Sequence, residues 1–230
     1  MSISIARHVR VAAIATLVVG SSAFSALASD VKVRIVNLTS GQVFSPVIAW
    51  THGRSFPPFF TVGQPASDGV RAVAEDGDTS VLKGTLEDDG RVKHIELLGE
   101  PIPPGEERTI TIDTRHGGRF LSLASMLVNT NDAFVALRSM RIPRRGQTVS
   151  FFEPAWDAGT EDNNEDCAYI PGPACASEPG NEADANDGEG VVFTHAGIHG
   201  QSGGIATSDL RPSAYDWRNP VAYIEVTHKK

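Results

Sequence analysis

The chain has 230 residues, with 20 Lys and Arg against 28 Asp and Glu, a formal net charge of −8 and two cysteines. Such an acidic chain is repelled by nucleic acid and by anionic lipid unless a cation intervenes, so its overall charge excludes a nucleic-acid binder. The length suits one sizeable core rather than several domains.

The first segment, MSISIARHVR, carries Arg7 and Arg10 and no acid, and the apolar run VAAIATLVVG follows it. Ala26-Leu27-Ala28 then offers small residues at the two positions that determine cleavage. This order predicts a secretory signal peptide over residues 1–28, cleaved near Ala28. A buried amphipathic helix is the alternative. The apolar run is too short to cross a bilayer, and no later stretch reaches the roughly 18 apolar residues of a transmembrane helix. The expected mature chain, residues 29–230, is secreted or periplasmic. Without Arg7 and Arg10 it has 18 basic and 28 acidic side chains, a net charge of −10.

Period-two patterning dominates the mature chain. VKVRIVNL (31–38) alternates Val31, Val33 and Ile35 with Lys32 and Arg34, the mark of a half-buried strand. QVFSPVIAW (42–50) follows a Thr-Ser-Gly turn, which suggests a hairpin; Pro46 would place this second strand at an edge or a bulge. One weak helical stretch lies around 67–75. VKHIELLG (92–99) and ERTITID (107–113) flank a proline-rich turn, and FLSLASMLV (120–128), AFVALRSM (133–140) and QTVSFFE (147–153) continue the series. EGVVFTHAGI (189–198) and PVAYIEVTH (220–228) close it, with a long loop expected over 174–190. Nine candidate strands and one weak helix predict an all-β fold, an antiparallel β-sandwich in a single domain.

Between Arg145 and Arg211 there is no Lys or Arg, while the interval holds twelve Asp and Glu. Both cysteines, Cys167 and Cys175, lie there. In an exported chain their closeness predicts a disulfide, with two free thiols as the alternative. The same interval contains DAGTEDNNED (157–166), five acids in ten positions. Calcium takes six to eight hard oxygen ligands, which this stretch could supply, Gly159 allowing the backbone to turn. A solvated acidic loop explains the composition equally well, and the spacing is not that of an EF-hand. Asp132, in NTNDAFVAL (129–137), could face such a loop from a sheet end, or close a local Asx-turn. His195 and His199 form a weaker alternative metal pair, against ordinary structural hydrogen bonding. Arg218 could pair with Asp216 or dock on an aromatic ring. The sequence has no nucleophile elbow, zinc-protease helix motif, P-loop or dinucleotide fingerprint.

SMLVNTNDAFVAL, WDAGTEDNNED, IPGP, GEGVVFTHAGIHG and YDWRNPVAYIEV occur in this order, and together they resemble the spondin domain family. That module is found near the N-terminus of F-spondin, an extracellular matrix protein, and in exported bacterial proteins; WDAGTE and IHG…DWRNP are closer to the bacterial branch. The resemblance implies an antiparallel β-sandwich, similar to calcium-dependent membrane-binding sandwich domains, with one Ca2+ at a sheet end. Carried over by motif, the implied calcium ligands are Asp132, Asp157 and Glu161, the last departing from an Asp in the animal domain. Asp162, Glu165 and Asp166 then read as outer-loop charge. The implied function is a non-enzymatic adhesion or binding module for an extracellular or cell-surface protein or polysaccharide. The rival expectations are a metal-dependent exported hydrolase, or a binder in which calcium bridges the protein to a polysaccharide or membrane.

Overall fold

The computed structural model describes residues 30–176 and 188–230. The signal peptide expected at 1–28 and most of the loop expected at 174–190 lie outside the described residues.

Two antiparallel sheets pack face to face. The four-stranded sheet runs β4 (Glu107–Asp113), β1 (Asp30–Asn37), β10 (Ala222–His228), β7 (Thr148–Glu153). The six-stranded sheet runs β3 (Val92–Leu98), β2 (Val47–His52), β5 (Phe120–Met126), β6 (Ala133–Arg141), β8 (Ala155–Asp157), β9 (Phe193–Thr194). The alternation in β1 has the predicted consequence: Val31, Val33 and Ile35 are buried with Ile110, Ile112, Ile224 and Val226, and meet Ala49, Leu121, Leu123 and Val135 of the other sheet. The fold is therefore the all-β antiparallel sandwich that the patterning and the resemblance both imply.

The predicted hairpin between β1 and the next strand does not form. β1 pairs with β10 and β4, while β2 lies in the other sheet between β3 and β5. Phe44 bridges to Ile102 and Leu127, carrying the chain across the sandwich before Pro46, and β2 starts after that proline. All six residues of β2 are buried, because the sheet is covered on both faces. Its outer face carries Ile48 and Trp50, which pack with Val73, Leu82 and Leu86.

Those last three residues belong to helices α1 (Asp68–Asp76) and α2 (Ser80–Glu87). The Ser67 hydroxyl caps α1 by accepting the Val70 N–H. Helix α2 is absent from the sequence prediction: SVLKGTLE is short, and Leu82 and Leu86 give it only two buried anchors. The strand expected over 189–198 shrinks to the two residues of β9, because Gly190 and Gly197 take positive φ.

One distortion shapes the far end of the six-stranded sheet. Between Leu121–Met140 and Leu123–Leu137 pairings, β6 has one residue more than β5, a β-bulge. Ser139 sits there at φ 51, its N–H donating to Ser122 Oγ at 2.9 Å. Ser122 Oγ also lies 3.1 Å from His52 Nε2, tying the bulge to the end of β2.

Candidate functional site

Each residue of NTND anchors something different. Asn129 Oδ1 accepts the Ala174 N–H, and Thr130 Oγ1 accepts that of Ala133. Asn131 Oδ1 accepts the Glu165 N–H while its amide donates to Asn164. Asp132 is fully buried at the start of β6. Its Oδ2 accepts the Thr160 N–H at 2.7 Å and the Glu161 N–H at 3.2 Å, so it joins a loop 28 residues away rather than closing a local Asx-turn. Its Oδ1 is buried and has no hydrogen-bond partner.

DAGTEDNNED begins at the last residue of β8. Ala133 pairs with Asp157 in the sheet register, so the two aspartates emerge at the same sheet end. Asp157 is also fully buried, accepting the Gly159 N–H at 2.8 Å and the Asn163 side-chain amide at 2.7 Å. Gly159 has φ 67, and a Cβ there would lie 2.3 Å from the Val191 carbonyl oxygen, so only glycine allows the loop this close an approach. Glu161 is buried as well, brought to Asp132 by its own amide.

Burial pushes the Asp157 carboxyl above the usual carboxylate range, and the neighbouring Asp132 charge adds to it. Burial likewise pushes Asp132 up, opposed by the Thr160 and Glu161 amides. Glu189 contributes repulsion at both. Glu189 is not among the residues that the sequence singles out. The Asn163 amide bridges Asp157 to Glu189, at 2.7 and 3.0 Å. No local spacing reveals it, since Glu189 lies 32 residues beyond Asp157 in the sequence. Among the described residues no three His, Cys, Asp or Glu side chains gather as a metal cluster. The buried pair Asp132 and Asp157, with an unsatisfied oxygen on one, is nevertheless a donor set suited to a hard divalent cation.

His195 and His199 turn to different acids. The His195 ring is buried, its Nε2 3.7 Å from Asp157 Oδ2. Burial lowers its pKa to about 3, so the ring is neutral. Because Nδ1 accepts the Gly197 N–H, Nε2 carries the proton and offers no lone pair to a transition metal. The exposed His199 ring lies 3.8 Å from Glu165.

Glu165 itself corrects the expectation of outer-loop charge. It is 3% exposed, and its carboxylate accepts the His199 and Gly200 N–H groups and the Ser208 hydroxyl at 2.6–2.8 Å. A buried acid that pins another loop is invisible in a run of acids. Asp162 and Asp166 are half-buried. Asp216 likewise serves the backbone, accepting the Ile198 N–H, and Arg218 forms no ion pair with it. Cys167 and Cys175 form a disulfide, with Cα atoms 5.2 Å apart, against the loop that Asn129 holds. Within that loop a Cβ at Gly172 would lie 2.0 Å from the Val128 carbonyl oxygen, which explains the glycine of IPGP.

The family model described as Spondin_N matches residues 37–171, more than half of the chain, and spans Asp132, Asp157 and Glu161. It stops short of Cys175, Glu189 and β10. No curated protein matches the chain.

Proposed function

The chain belongs to the spondin N-terminal domain family, and on that premise we propose that it is an extracellular, calcium-binding, non-enzymatic module for adhesion or ligand binding. The extracellular placement is supported by the family and by the Cys167–Cys175 disulfide, a bond that persists in oxidising compartments. No helix among the described residues is long and apolar enough to cross a membrane.

The observation that carries the calcium reading is the buried pair of aspartates. Two buried carboxylates held close together repel each other, and Asp132 Oδ1 is buried with no hydrogen-bond partner. A divalent ion relieves both costs at once. Asp132 and Asp157 would hold it, Glu161 is the further ligand that the family resemblance implies, and Glu189 adds negative potential nearby. Backbone carbonyls and water supply the remaining oxygens that calcium takes. The ion's part is to neutralise and cross-link; the chain's own part is to hold the 157–166 loop against the start of β6. Titrating calcium into metal-stripped protein by calorimetry tests the proposal. One site lost in Asp157→Asn supports it, and no binding heat at any temperature rejects it.

A further inference from the structure

At the opposite end of the six-stranded sheet lies a cavity of quite different character. Asp132 and Asp157 flank the first residue of β6, whereas Arg141 is its last residue, about 26 Å away at the rise of a strand. Around Arg141, the cavity of about 470 Å³ is lined by His52, Arg54, Phe56, Arg119, Phe120 and Ser139. It contains three arginines and no carboxylate, in a chain whose net charge is −8.

The nearby acids are already engaged. Asp89 is bonded by Arg91 at 2.6 Å, and Asp113 by Arg115 at 2.6 Å, each pair two residues apart. Among the described residues, no ion pair takes up Arg54, Arg119 or Arg141. Three guanidiniums around one concavity repel one another, and an oxyanion is the ligand that relieves this.

The backbone fixes where two of them stand. Arg119 N–H donates to the His52 carbonyl at 3.1 Å, and the Arg119 carbonyl accepts from Ile142 at 2.9 Å. Arg141 faces Phe120 in the β5–β6 register. Behind them the bulge at Ser139, bonded to Ser122 and through it to His52, holds an L-residue in the left-handed region. Strain of this kind persists where surrounding structure over-determines it, and bulges of this type re-aim neighbouring side chains. The His52 ring stacks on Phe120 at 5.9 Å and leans on Phe56 at 4.6 Å, so both phenyl rings are held as part of the wall.

We propose that this cavity binds an acidic saccharide. Its sulfate or carboxylate is held by Arg54, Arg119 and Arg141, and its apolar ring face packs on Phe120, beside a Phe56 ring that the Arg91 guanidinium overlies. A planar guanidinium matches either oxyanion by paired hydrogen bonds, and the volume suits one or two sugar units. A second cavity of about 310 Å³ on the other side of the same Arg119 and Arg141, reaching His228, gives a neighbouring unit room. The proposal stands on this cavity alone; the extracellular reading above bears only on where such sugars would be met.

Calorimetric titration of the mature chain at low salt tests it, with glucose 6-sulfate, glucuronate, glucose, inorganic sulfate and AMP as probes. Glucose 6-sulfate or glucuronate is expected to bind at least tenfold more tightly than glucose or inorganic sulfate, and whichever does so identifies the group. Arg119→Gln and Arg141→Gln should each weaken it at least fivefold, and Arg108→Gln, on the other sheet, should leave it unchanged. Added salt should weaken it further. Asp157→Asn, checked as folded by near-ultraviolet circular dichroism, should retain it, which separates this site from the calcium site. Equal binding of inorganic sulfate, tighter binding of AMP, unchanged affinity in the Arg119→Gln/Arg141→Gln double variant, loss in folded Asp157→Asn, or no binding of either acidic sugar would each overturn the assignment.

Discussion

Asp132 Oδ2 accepts the backbone N–H of Glu161 at 3.2 Å, so one expected calcium ligand fixes the chain that carries another. The bond crosses from the start of β6 to the loop after β8 and makes the acidic end a single unit. It also separates two roles within one carboxylate: Oδ2 organises the loop, while Oδ1 is left without a donor.

Calcium should therefore raise the melting temperature of metal-free protein in a concentration-dependent way. Binding confined to the native state contributes about 2.7 kcal/mol at a hundredfold excess over Kd. Magnesium should do less, since it demands a tighter octahedral shell. Asp157→Asn should remove most of the calcium response, and without metal it should melt above wild type, because one of two buried repelling carboxyls is gone. Asp166→Asn should respond as wild type. Thermal scans with and without calcium decide it; equal responses in wild type and Asp157→Asn would refute the site.

A carboxyl away from that site should also make stability depend on pH, in the same direction as the raised Asp132 and Asp157. Burial pushes Glu153, which faces the Arg138 side of the sandwich groove, up to about 7. Its folded pKa lies above the unfolded value of 4.5, so the unfolded chain ionises first as pH rises. The contribution of Glu153 to stability is thus lost between about pH 4.5 and 7 and is constant above. Glu153→Gln should be neutral at pH 4 and stabilising by about 1–2 kcal/mol at pH 8, a figure reduced for partial solvent screening. Urea unfolding at the two pH values measures it, and a gain at pH 4 equal to that at pH 8 would contradict the burial explanation.

Glu165→Ala should destabilise the protein by about 2–4 kcal/mol, since it strands the His199 and Gly200 N–H groups and the Ser208 hydroxyl in a buried place. His199→Ala, at an exposed ring, should cost less than about 0.5 kcal/mol. The two unfolding midpoints distinguish a buried bracket from surface charge.

Replacing Cys167 and Cys175 together by serine should lower stability by about 2–3 kcal/mol, the loop-closure entropy of so short a loop. Non-reducing mass spectrometry of wild type should find both sulfurs bonded. Recovering two alkylatable thiols would exclude the bond.

Deleting residues 219–230 should unfold the whole chain. β10 lies between β1 and β7, and its Ala222, Ile224 and Val226, with Val221 just before it, are completely buried. At about 1.5–3 kcal/mol for each large apolar side chain, with the strand's hydrogen bonds lost on both sides, the loss approaches a typical total stability of 5–15 kcal/mol. A truncated chain that still melted cooperatively at the original temperature would show β10 to be dispensable.

The class of fold and most of its strands can be read from the chain alone, because alternation in segments such as VKVRIV is a local property that any sandwich must have. The disulfide was legible too, but that Gly159 must be glycine follows only from the approach of Val191. Sheet membership was not legible: the short turn after β1 suggests a hairpin, yet apolar residues on both faces of β2 can be buried only where the helices cover them. Nor could the string DAGTEDNNED reveal that Asp157 and Glu161 are buried beside Asp132 while Glu165 pins residues 199 and 200 elsewhere. Neither Glu189 nor the grouping of Arg54, Arg119 and Arg141 is visible in the sequence, for the same reason. Composition counts charges along the chain, but repulsion, burial and pairing depend on distances across it, and only the tertiary structure fixes those.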